Sequence, residues 1–480
     1  MTADDPALPD REALLALAVR EITAAWASFD RPRPKEAVLD EALAQRLLDP
    51  LPEAPGDPAE AMHDAARVLD ASISPARPLY LAYIGSTGLA TGAMASALAS
   101  TYDVNLAADA AAGEFLDGQA LRWTADFVGY PHADGAFTSG GQVSNLTALV
   151  AAREQALPGA RERGLEGRRG AVYCSREAHQ SVTRAVEITG LGTASVRALE
   201  IDGDRRVRPE LIDAAIATDR AEGITPVAIV ATAGTTLTGS VDPLVALADV
   251  AERHGVWLHV DGAYGLPAAR TAAGAPLFAG LERADSVTLD AHKWLGVPKS
   301  CSVLLVRDDS ALQASFGHRE TYMLHRGDAH NPVDRTLEYS RPFNSLKLWM
   351  ALRVHGGAAL RAWIERSMRH ARRLAEVLDA DPAFEVLHRP QLSALCFRHC
   401  PEGTADLDEH NRRLAQAIQA DGRVYLAPAA VDGRVCLRVC FVNFRTTDDE
   451  VDDAISVIRE LGARIRSAPT DRPPPRPAPR

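Results

Sequence analysis

Short apolar segments of strand length alternate with helical segments between about residue 80 and residue 310. The segments that predict strands are Ala171–Cys174, Val227–Thr232, Val256–Val260, Ser286–Leu289 and Ser302–Val306. Helical patterns such as Pro209–Thr218 and Pro243–His254 separate them. This alternation predicts an α/β fold in which helices cover both faces of a mainly parallel sheet. Ligands of such sheets bind beyond the carboxyl ends of the strands, so the residues that follow each strand are candidates for a site.

The N-terminal region has a separate helical pattern. Residues 11–28 and 35–48 predict two helices, and a Pro/Gly-rich link from Pro50 to Pro58 follows them. We therefore expect residues 1–75 to form a helical arm that is appended to the sheet domain.

Further regions follow the arm. We expect a large domain with the sheet over residues 76–355 and a smaller α+β domain over residues 356–466. Residues 311–335 lack clear periodicity, which predicts a long irregular segment of the kind that often forms a lid. The proline-rich residues 467–480 predict a disordered tail.

Charge and hydropathy narrow the class of protein. The formal net charge of the 480 residues is −12 and no basic block stands out, which argues against nucleic acid or an anionic membrane as a partner. The first residues are acidic, and no apolar run behind them resembles a signal sequence. No stretch reaches the ~18 apolar residues of a spanning helix. We expect a cytoplasmic protein.

Two C-x3-C pairs raise the alternative of a metal site. Cys396 and Cys400 lie beside His399, and Cys436 and Cys440 lie in a strand-like run. The spacing matches no familiar zinc pattern. Residues four apart in a strand share a face, where cysteines pack as small apolar side chains. We therefore expect no metal site.

Lysine is scarce in this chain, because the only lysines are Lys35, Lys293, Lys299 and Lys347. Arginine cannot replace lysine where an amine must lose its proton and attack a carbonyl. Each lysine is therefore a candidate for such chemistry. Lys293 is the strongest, because it lies in the segment Asp290–Trp294 directly after a predicted strand.

Four groups of residues lie at the ends of predicted strands or at the start of a predicted helix: Asp290–Trp294, Asp261, Thr138–Gln142 and His179. Together they supply the parts of a pyridoxal phosphate (PLP) site. A lysine amine forms a Schiff base, and a carboxylate holds the pyridine nitrogen protonated. A glycine-rich helix N-terminus binds the phosphate, and a flat side chain covers the ring. Each group alone also fits an ordinary role, such as a tight turn, a helix cap or a surface lysine.

Five motifs occur in a characteristic order. They are TSGG at 138–141, EAHQS at 177–181, ATAGTT at 231–236, HVDGAY at 259–264 and DAHKW at 290–294. Over roughly residues 75–460 the chain resembles the group II pyridoxal-dependent amino acid decarboxylases, which include the aromatic-L-amino-acid, glutamate and diaminobutyrate enzymes. The resemblance implies the fold-type I architecture of PLP-dependent transferases, similar to aspartate aminotransferase. It also implies a homodimer with the active site at the subunit interface, in which the N-terminal helices embrace the partner.

The resemblance assigns roles around the cofactor ring. Lys293 would be the Schiff-base lysine, with His292 beside it near the phosphate. Asp261 would pair with the pyridinium nitrogen. Ala263 would pack on one face of the ring, and His179 would stack on the other.

It also assigns the phosphate site and a proton donor. Thr232 would lie by the ring or its 3′-oxygen, and the phosphate would be cradled by Gly140, Gly141 and Gln142. Tyr322 resembles the tyrosine of a mobile catalytic loop that donates a proton to the α-carbon after CO2 leaves. Relatives that form aldehydes replace this tyrosine, so Tyr322 favours decarboxylation of an L-amino acid to the amine.

A substrate-pocket segment departs from the pattern of the aromatic decarboxylases. Its candidate substrate contacts are Tyr83, Ile84 and Ser86, and Ile84 with Gly85 stands where those relatives carry aromatic and proline residues. The sequence therefore does not name the amino acid. An aldehyde synthase, a lyase or a transaminase on the same scaffold remains an alternative, as does a PLP-binding protein without turnover.

Overall fold

The computed structural model describes residues 10–30, 40–73, 75–85, 87–107, 110–318 and 331–467. Its strands are β1 Asp134–Thr138, β2 Gly170–Ser175, β3 Val196–Leu199, β4 Thr225–Thr232, β5 Trp257–Asp261, β6 Ser286–Asp290, β7 Ser302–Val306, β8 Phe384–Val386, β9 Ala394–His399, β10 Ala427–Val431 and β11 Arg434–Cys440. Its α-helices are α1 Arg11–Phe29, α2 Glu41–Arg46, α3 Pro58–Asp70, α4 Ala90–Tyr102, α5 Ala112–Val128, α6 Gly141–Ala156, α7 Ala160–Arg163, α8 Gln180–Ile188, α9 Pro209–Ala221, α10 Leu244–His254, α11 Ser310–Phe316, α12 Asn344–Asp379, α13 Leu407–Asp421 and α14 Asp448–Ser467.

Seven strands form the large sheet in the order β1-β7-β6-β5-β4-β2-β3. The pairs from β6 through β3 are parallel, and β7 runs antiparallel to both of its neighbours. The predicted mainly parallel sheet is confirmed, and each of the five predicted strands lies in it within one or two residues of its expected bounds.

Helices cover both faces of this sheet, as β2 illustrates. Ala171 and Tyr173 pack into the core that contains α9 and α10, whereas Val172 and Cys174 pack into the core that contains α6 and α8. Successive side chains of a strand point to opposite faces of the sheet. A strand that is buried on both faces therefore has a continuous apolar sequence. This burial explains why the sequence shows no polar alternation here.

Strands β8 to β11 form a second, antiparallel sheet in the order β10-β11-β9-β8. It packs with α13, α14 and the second half of α12 around a core of its own. Helix α12 is kinked at Gly356, whose φ of 78° and ψ of 151° are not helical. The kink lies beside the expected boundary at residue 355, although Leu360 and Trp363 beyond it still pack on the core of the large sheet.

Two expectations about irregular segments are wrong. Pro58 was expected in a breaker, but it opens α3 behind the N-cap Asp57, because proline fits the first turn of a helix. Residues within 311–335 were expected to be irregular, but α11 begins at Ser310 and a 3-10 turn covers Pro332–Arg335. The remainder of that segment, residues 319–330, lies outside the described residues, as do residues 468–480 of the expected tail.

The cysteines of the second C-x3-C pair, Cys436 and Cys440, are fully buried in β11. Among the described residues no cluster of three or more histidine, cysteine, aspartate or glutamate side chains is arranged to hold a metal ion. No helix in the described part of the chain combines the length and apolar character needed to cross a membrane.

Candidate active site

Three neighbouring strands of the large sheet end in polar residues. Thr232 ends β4, Asp261 ends β5 and Asp290 ends β6, and all three side chains are buried. Thr232 lies directly opposite Asp261 in the parallel pairing. The carboxyl ends of parallel strands meet at one edge of a sheet, where ligands of α/β folds bind.

Lys293 lies one turn beyond the end of β6. Its Nζ is 3.0 Å from Oδ2 of Asp290, and its side chain is partly exposed. Nε2 of His292 lies 3.8 Å from the same carboxylate oxygen, and Nδ1 of His292 lies 2.9 Å from the carbonyl oxygen of Cys301. Burial lowers the pKa of His292, although Asp290 opposes that effect.

The glycine-rich turn lies against this carboxylate. Helix α6 begins at Gly141, where an added Cβ would lie 2.9 Å from Oδ2 of Asp290 and 3.2 Å from Cβ of Ala263. A Cβ added at Gly140 would meet no atom within 4 Å. The first turn of α6 is therefore tightly packed at Gly141 and open at Gly140, and its free N–H groups suit an anion.

Side chains on two sides hold the turn in place. Gln142 donates a hydrogen bond from Nε2 to the carbonyl oxygen of Ser181 at 3.3 Å, which joins α6 to α8. The N–H of Ser139 donates to Oε2 of Glu338 at 3.1 Å. Glu338 could not be predicted from the sequence, because nothing in its local pattern links it to residue 139.

His179 is the N-cap of α8. Its Nδ1 accepts a hydrogen bond from the N–H of Ser181 at 3.2 Å and lies 2.8 Å from that residue's Oγ. Burial lowers the pKa of His179, Asp261 opposes this, and Lys293 adds to it. The imidazole is therefore neutral at pH 7 and lies within electrostatic reach of both groups.

This arrangement fits PLP. Oγ1 of Thr232 and Oδ1 of Asp290 are buried without a hydrogen-bond partner among the described residues, so polar atoms are left free in the pocket. The space beside Gly140, the amine of Lys293 and the carboxylate of Asp261 supply an anion site, a nucleophile and a partner for a protonated ring nitrogen.

The expected substrate segment is held against the small domain. The N–H of Leu81 donates to the carbonyl oxygen of Tyr425 at 2.7 Å. The ring of Tyr83 lies 6.4 Å from that of Tyr80 and is 59% exposed, and Ile84 packs on the main core. Of the remaining predicted residues, Ser86 and Tyr322 lie outside the described residues.

Two buried polar residues were missed. Arg438 in β11 donates to the carbonyl oxygens of Ala82 and Thr236, each at 2.6 Å, and so ties the small domain to this edge of the large one. Asn145 in α6 donates to Oδ2 of Asp261 at 2.8 Å. The only signal for Asn145 in the sequence is a polar residue four positions after Gly141, which places it on the same face of α6.

The chain as a whole is similar to known pyridoxal-dependent decarboxylases. The model of the pyridoxal-dependent decarboxylase conserved domain matches residues 43–400. Aromatic-L-amino-acid decarboxylase of Bacillus atrophaeus is 32% identical over 444 residues, which cover 90% of this chain and 91% of that protein. Cysteine sulfinic acid decarboxylase of Rattus norvegicus is 34% identical over 310 residues, which cover 63% of each.

Among solved structures, Oryza sativa TDC with PLP and tryptamine superposes with a TM-score of 0.90 at 27% identity, covering 97% of this chain and 100% of that one. The likeness therefore extends over both domains.

Proposed function

This chain belongs to the pyridoxal-dependent decarboxylases and is a PLP-dependent carboxy-lyase that acts on an amino acid, and on that premise we propose that Lys293 carries the cofactor. The observation that carries the proposal is the convergence of the Lys293 amine with Asp290, Asp261 and the first turn of α6. Lys299 is exposed, and Nζ of Lys347 donates to the carbonyl oxygen of Ser300 at 2.7 Å.

We propose roles for the surrounding residues that their positions support. PLP, when bound, supplies an electron sink for the electrons released as the bond between the α-carbon and the carboxylate breaks. Asp261 would accept the hydrogen bond of the protonated ring nitrogen, and Thr232 beside it would offer its hydroxyl to the ring. Ala263 and His179 would pack on the two ring faces.

The start of α6 would hold the phosphate. The N–H groups of Gly140, Gly141 and Gln142 would donate to it, and the helix dipole would favour its charge. His292 would lie beside it. The support is the open space next to Gly140 and the proximity of Gly141 to the Lys293–Asp290 pair.

We propose Tyr322 as the acid that delivers a proton to the α-carbon after CO2 leaves, and Tyr83, Ile84 and Ser86 as substrate contacts. The support for these assignments is the sequence alone. A Tyr322→Phe variant is expected to release CO2 while losing most of its amine product, because no acid is positioned to protonate the α-carbon. In its place it should form aldehyde and ammonia, with O2 as the oxidant that is reduced to peroxide. An unchanged ratio of amine to CO2 would remove Tyr322 from this role.

The reaction itself is tested with a panel of aromatic, acidic and aliphatic L-amino acids, with CO2, amine, aldehyde and peroxide measured together. We expect equal amounts of CO2 and amine from at least one of them, without peroxide. Aldehyde with peroxide would favour the aldehyde synthase alternative, and a keto acid would favour a transaminase.

We also propose a homodimer. Helices α1 and α3 bury none of their side chains within the subunit, and large apolar side chains stand exposed on α4 and α5, such as Tyr102 at 78% and Phe115 at 81%. Patches of this kind mark protein interfaces. Sedimentation should show that the protein is a dimer. Phe115→Asp should weaken the dimer, whereas Ile188→Asp, which is also at an exposed residue, should not. A wild-type monomer would contradict the proposal.

A cytoplasmic location is likewise proposed. All six cysteines are free thiols, as is usual for proteins of a reducing compartment. Cell fractionation of the native host is the test, and recovery in a membrane or extracellular fraction would contradict it.

A further inference from the structure

A buried row of hydrogen bonds passes through Asn145. Its Nδ2 donates both to Oδ2 of Asp261 at 2.8 Å and to Oγ of Ser181 at 3.0 Å. Its Oδ1 lies 3.0 Å from Nε2 of His259. The side chain of Asn145 is 1% exposed, so water does not compete for these bonds.

The orientation of the amide is fixed from one end by Asp261. An ionised carboxylate only accepts hydrogen bonds, so the NH2 group of Asn145 must face it and Oδ1 must face His259. His259 therefore carries its proton on Nε2 and donates it to Asn145. Burial lowers the pKa of His259 to about 4, which keeps the ring neutral at pH 7.

The other end of the row is compatible with the same direction. An indole N–H only donates, and Nε1 of Trp257 donates to Oγ of Ser286 at 2.8 Å. The hydroxyl of Ser286 is then free to donate to Nδ1 of His259, 2.8 Å away. Both ends therefore accommodate the proton of His259 on Nε2, and the amide of Asn145 is the group that decides it.

The second hydrogen of the amide extends the row to His179. Because Oγ of Ser181 accepts from Asn145, its own hydrogen is available for Nδ1 of His179. That nitrogen also accepts from the N–H of Ser181. Nδ1 of His179 is therefore an acceptor, and the proton of this imidazole lies on Nε2.

We propose that Asn145 is a positioning residue that orients the carboxylate of Asp261 and, through its bond to Oγ of Ser181, turns the hydroxyl hydrogen of Ser181 toward Nδ1 of His179. The proposal deepens the proposed function and rests on it, since Asp261 and His179 are the side chains assigned to the ring nitrogen and to one ring face of PLP. One amide thus ties together two groups that contact the cofactor from different directions.

Other side chains at position 145 would satisfy the surrounding hydrogen-bonding groups less well. An aspartate would set a second carboxylate beside Asp261, and like charges that close oppose ionisation of both. An alanine would leave the hydrogen-bonding groups of Asp261 and His259 buried without their partner. Asn145 satisfies all of these groups with a single side chain.

The test uses the full-length protein labelled with 15N-histidine, with and without PLP. Nitrogen chemical shifts should report neutral His179 and His259, both with the proton on Nε2. Asn145→Ala should convert His259 to a mixture of tautomers but leave His179 protonated on Nε2, because the N–H of Ser181 still donates to its Nδ1. It should also weaken PLP binding about tenfold or more, as expected for a lost bond to a charged group. Asn411→Ala is the matched control, because Asn411 is equally buried and bonds to His399 in the small domain.

If Asn145→Ala does not fold, two substitutions of His259 test the proposal instead. His259→Gln keeps an N–H that can donate to Asn145, whereas His259→Leu does not. We expect the first to retain the affinity for PLP and the second to lose it. Equal behaviour of the two, or His259 protonated on Nδ1 in the unaltered protein, would overturn the proposal. A wrong assignment of Lys293 would leave these tautomers as inferred, so the two failures are distinguishable.

Discussion

Two buried aspartates at adjacent strand ends are held in different ways. Asp261 accepts from the amide of Asn145 and from the N–H of Ala263, and so has a fixed orientation. Asp290 instead pairs with the Lys293 ammonium, and one of its oxygens has no hydrogen-bond partner among the described residues. The difference suits Asp261 to hold one ring atom and Asp290 to hold the lysine.

Removal of the negative charge at Asp261 should damage catalysis more than folding. We expect Asp261→Asn to lower kcat by about 10- to 100-fold, because a charge-assisted hydrogen bond contributes about 1.5–3 kcal/mol. The steady-state rate and the unfolding midpoint of the PLP-free protein are the measurements. An active Asp261→Asn variant with normal kcat would show that Asp261 does not serve the ring nitrogen.

At the scale of elements, the start of α6 brings together the glycine turn and the end of β6. Its two glycines differ in their surroundings, since a Cβ at Gly141 would crowd Asp290 and Ala263 while one at Gly140 would meet open space. The φ of 175° at Gly140 is extended backbone that any residue can adopt. The two positions therefore offer a matched pair of substitutions.

We expect Gly141→Ala to lower the free energy of unfolding of the PLP-free protein by about 1–3 kcal/mol, the usual cost of overpacking. Gly140→Ala should leave that free energy unchanged but weaken binding of PLP, because its methyl group enters the space proposed for the phosphate. Binding of pyridoxal, which lacks the phosphate, is the control. Equal effects of both variants on the PLP-free protein would contradict this description of the turn.

The elements also show what the sequence predicts and what it does not. The strands and the residues at their ends, Asp261 and Lys293 among them, follow from local apolar runs and motifs. Asn145, Glu338 and Arg438 could not be predicted, because their partners are distant in sequence and meet only after folding. Pro58 was misjudged because the same residue breaks a helix interior and favours a helix start.

At the scale of the whole molecule, buried neutral histidines make stability depend on pH. Burial lowers the pKa of His259 to about 4, against the opposing charge of Asp261. An unfolded histidine titrates near pH ~6.5, so between that pH and about 4 the unfolded chain binds more protons at this position. Stability is therefore lost as the pH falls through this window.

We expect this single group to remove about 2 kcal/mol of stability between pH 7 and pH 5. The check is urea unfolding of the PLP-free protein at both pH values, compared with His259→Gln, which does not titrate. The variant should lose less stability on acidification than the unaltered protein. Identical losses would mean that His259 is not the neutral buried group described above.

The central claim, that Lys293 carries the cofactor, is tested most directly by reducing the holoenzyme with borohydride and mapping the modified lysine by mass spectrometry. The account predicts a phosphopyridoxyl group on Lys293 and none on Lys299 or Lys347. It also predicts that Lys293→Ala abolishes the modification while Lys299→Ala does not. A modified lysine elsewhere in the chain, or modification that persists in Lys293→Ala, would contradict the claim.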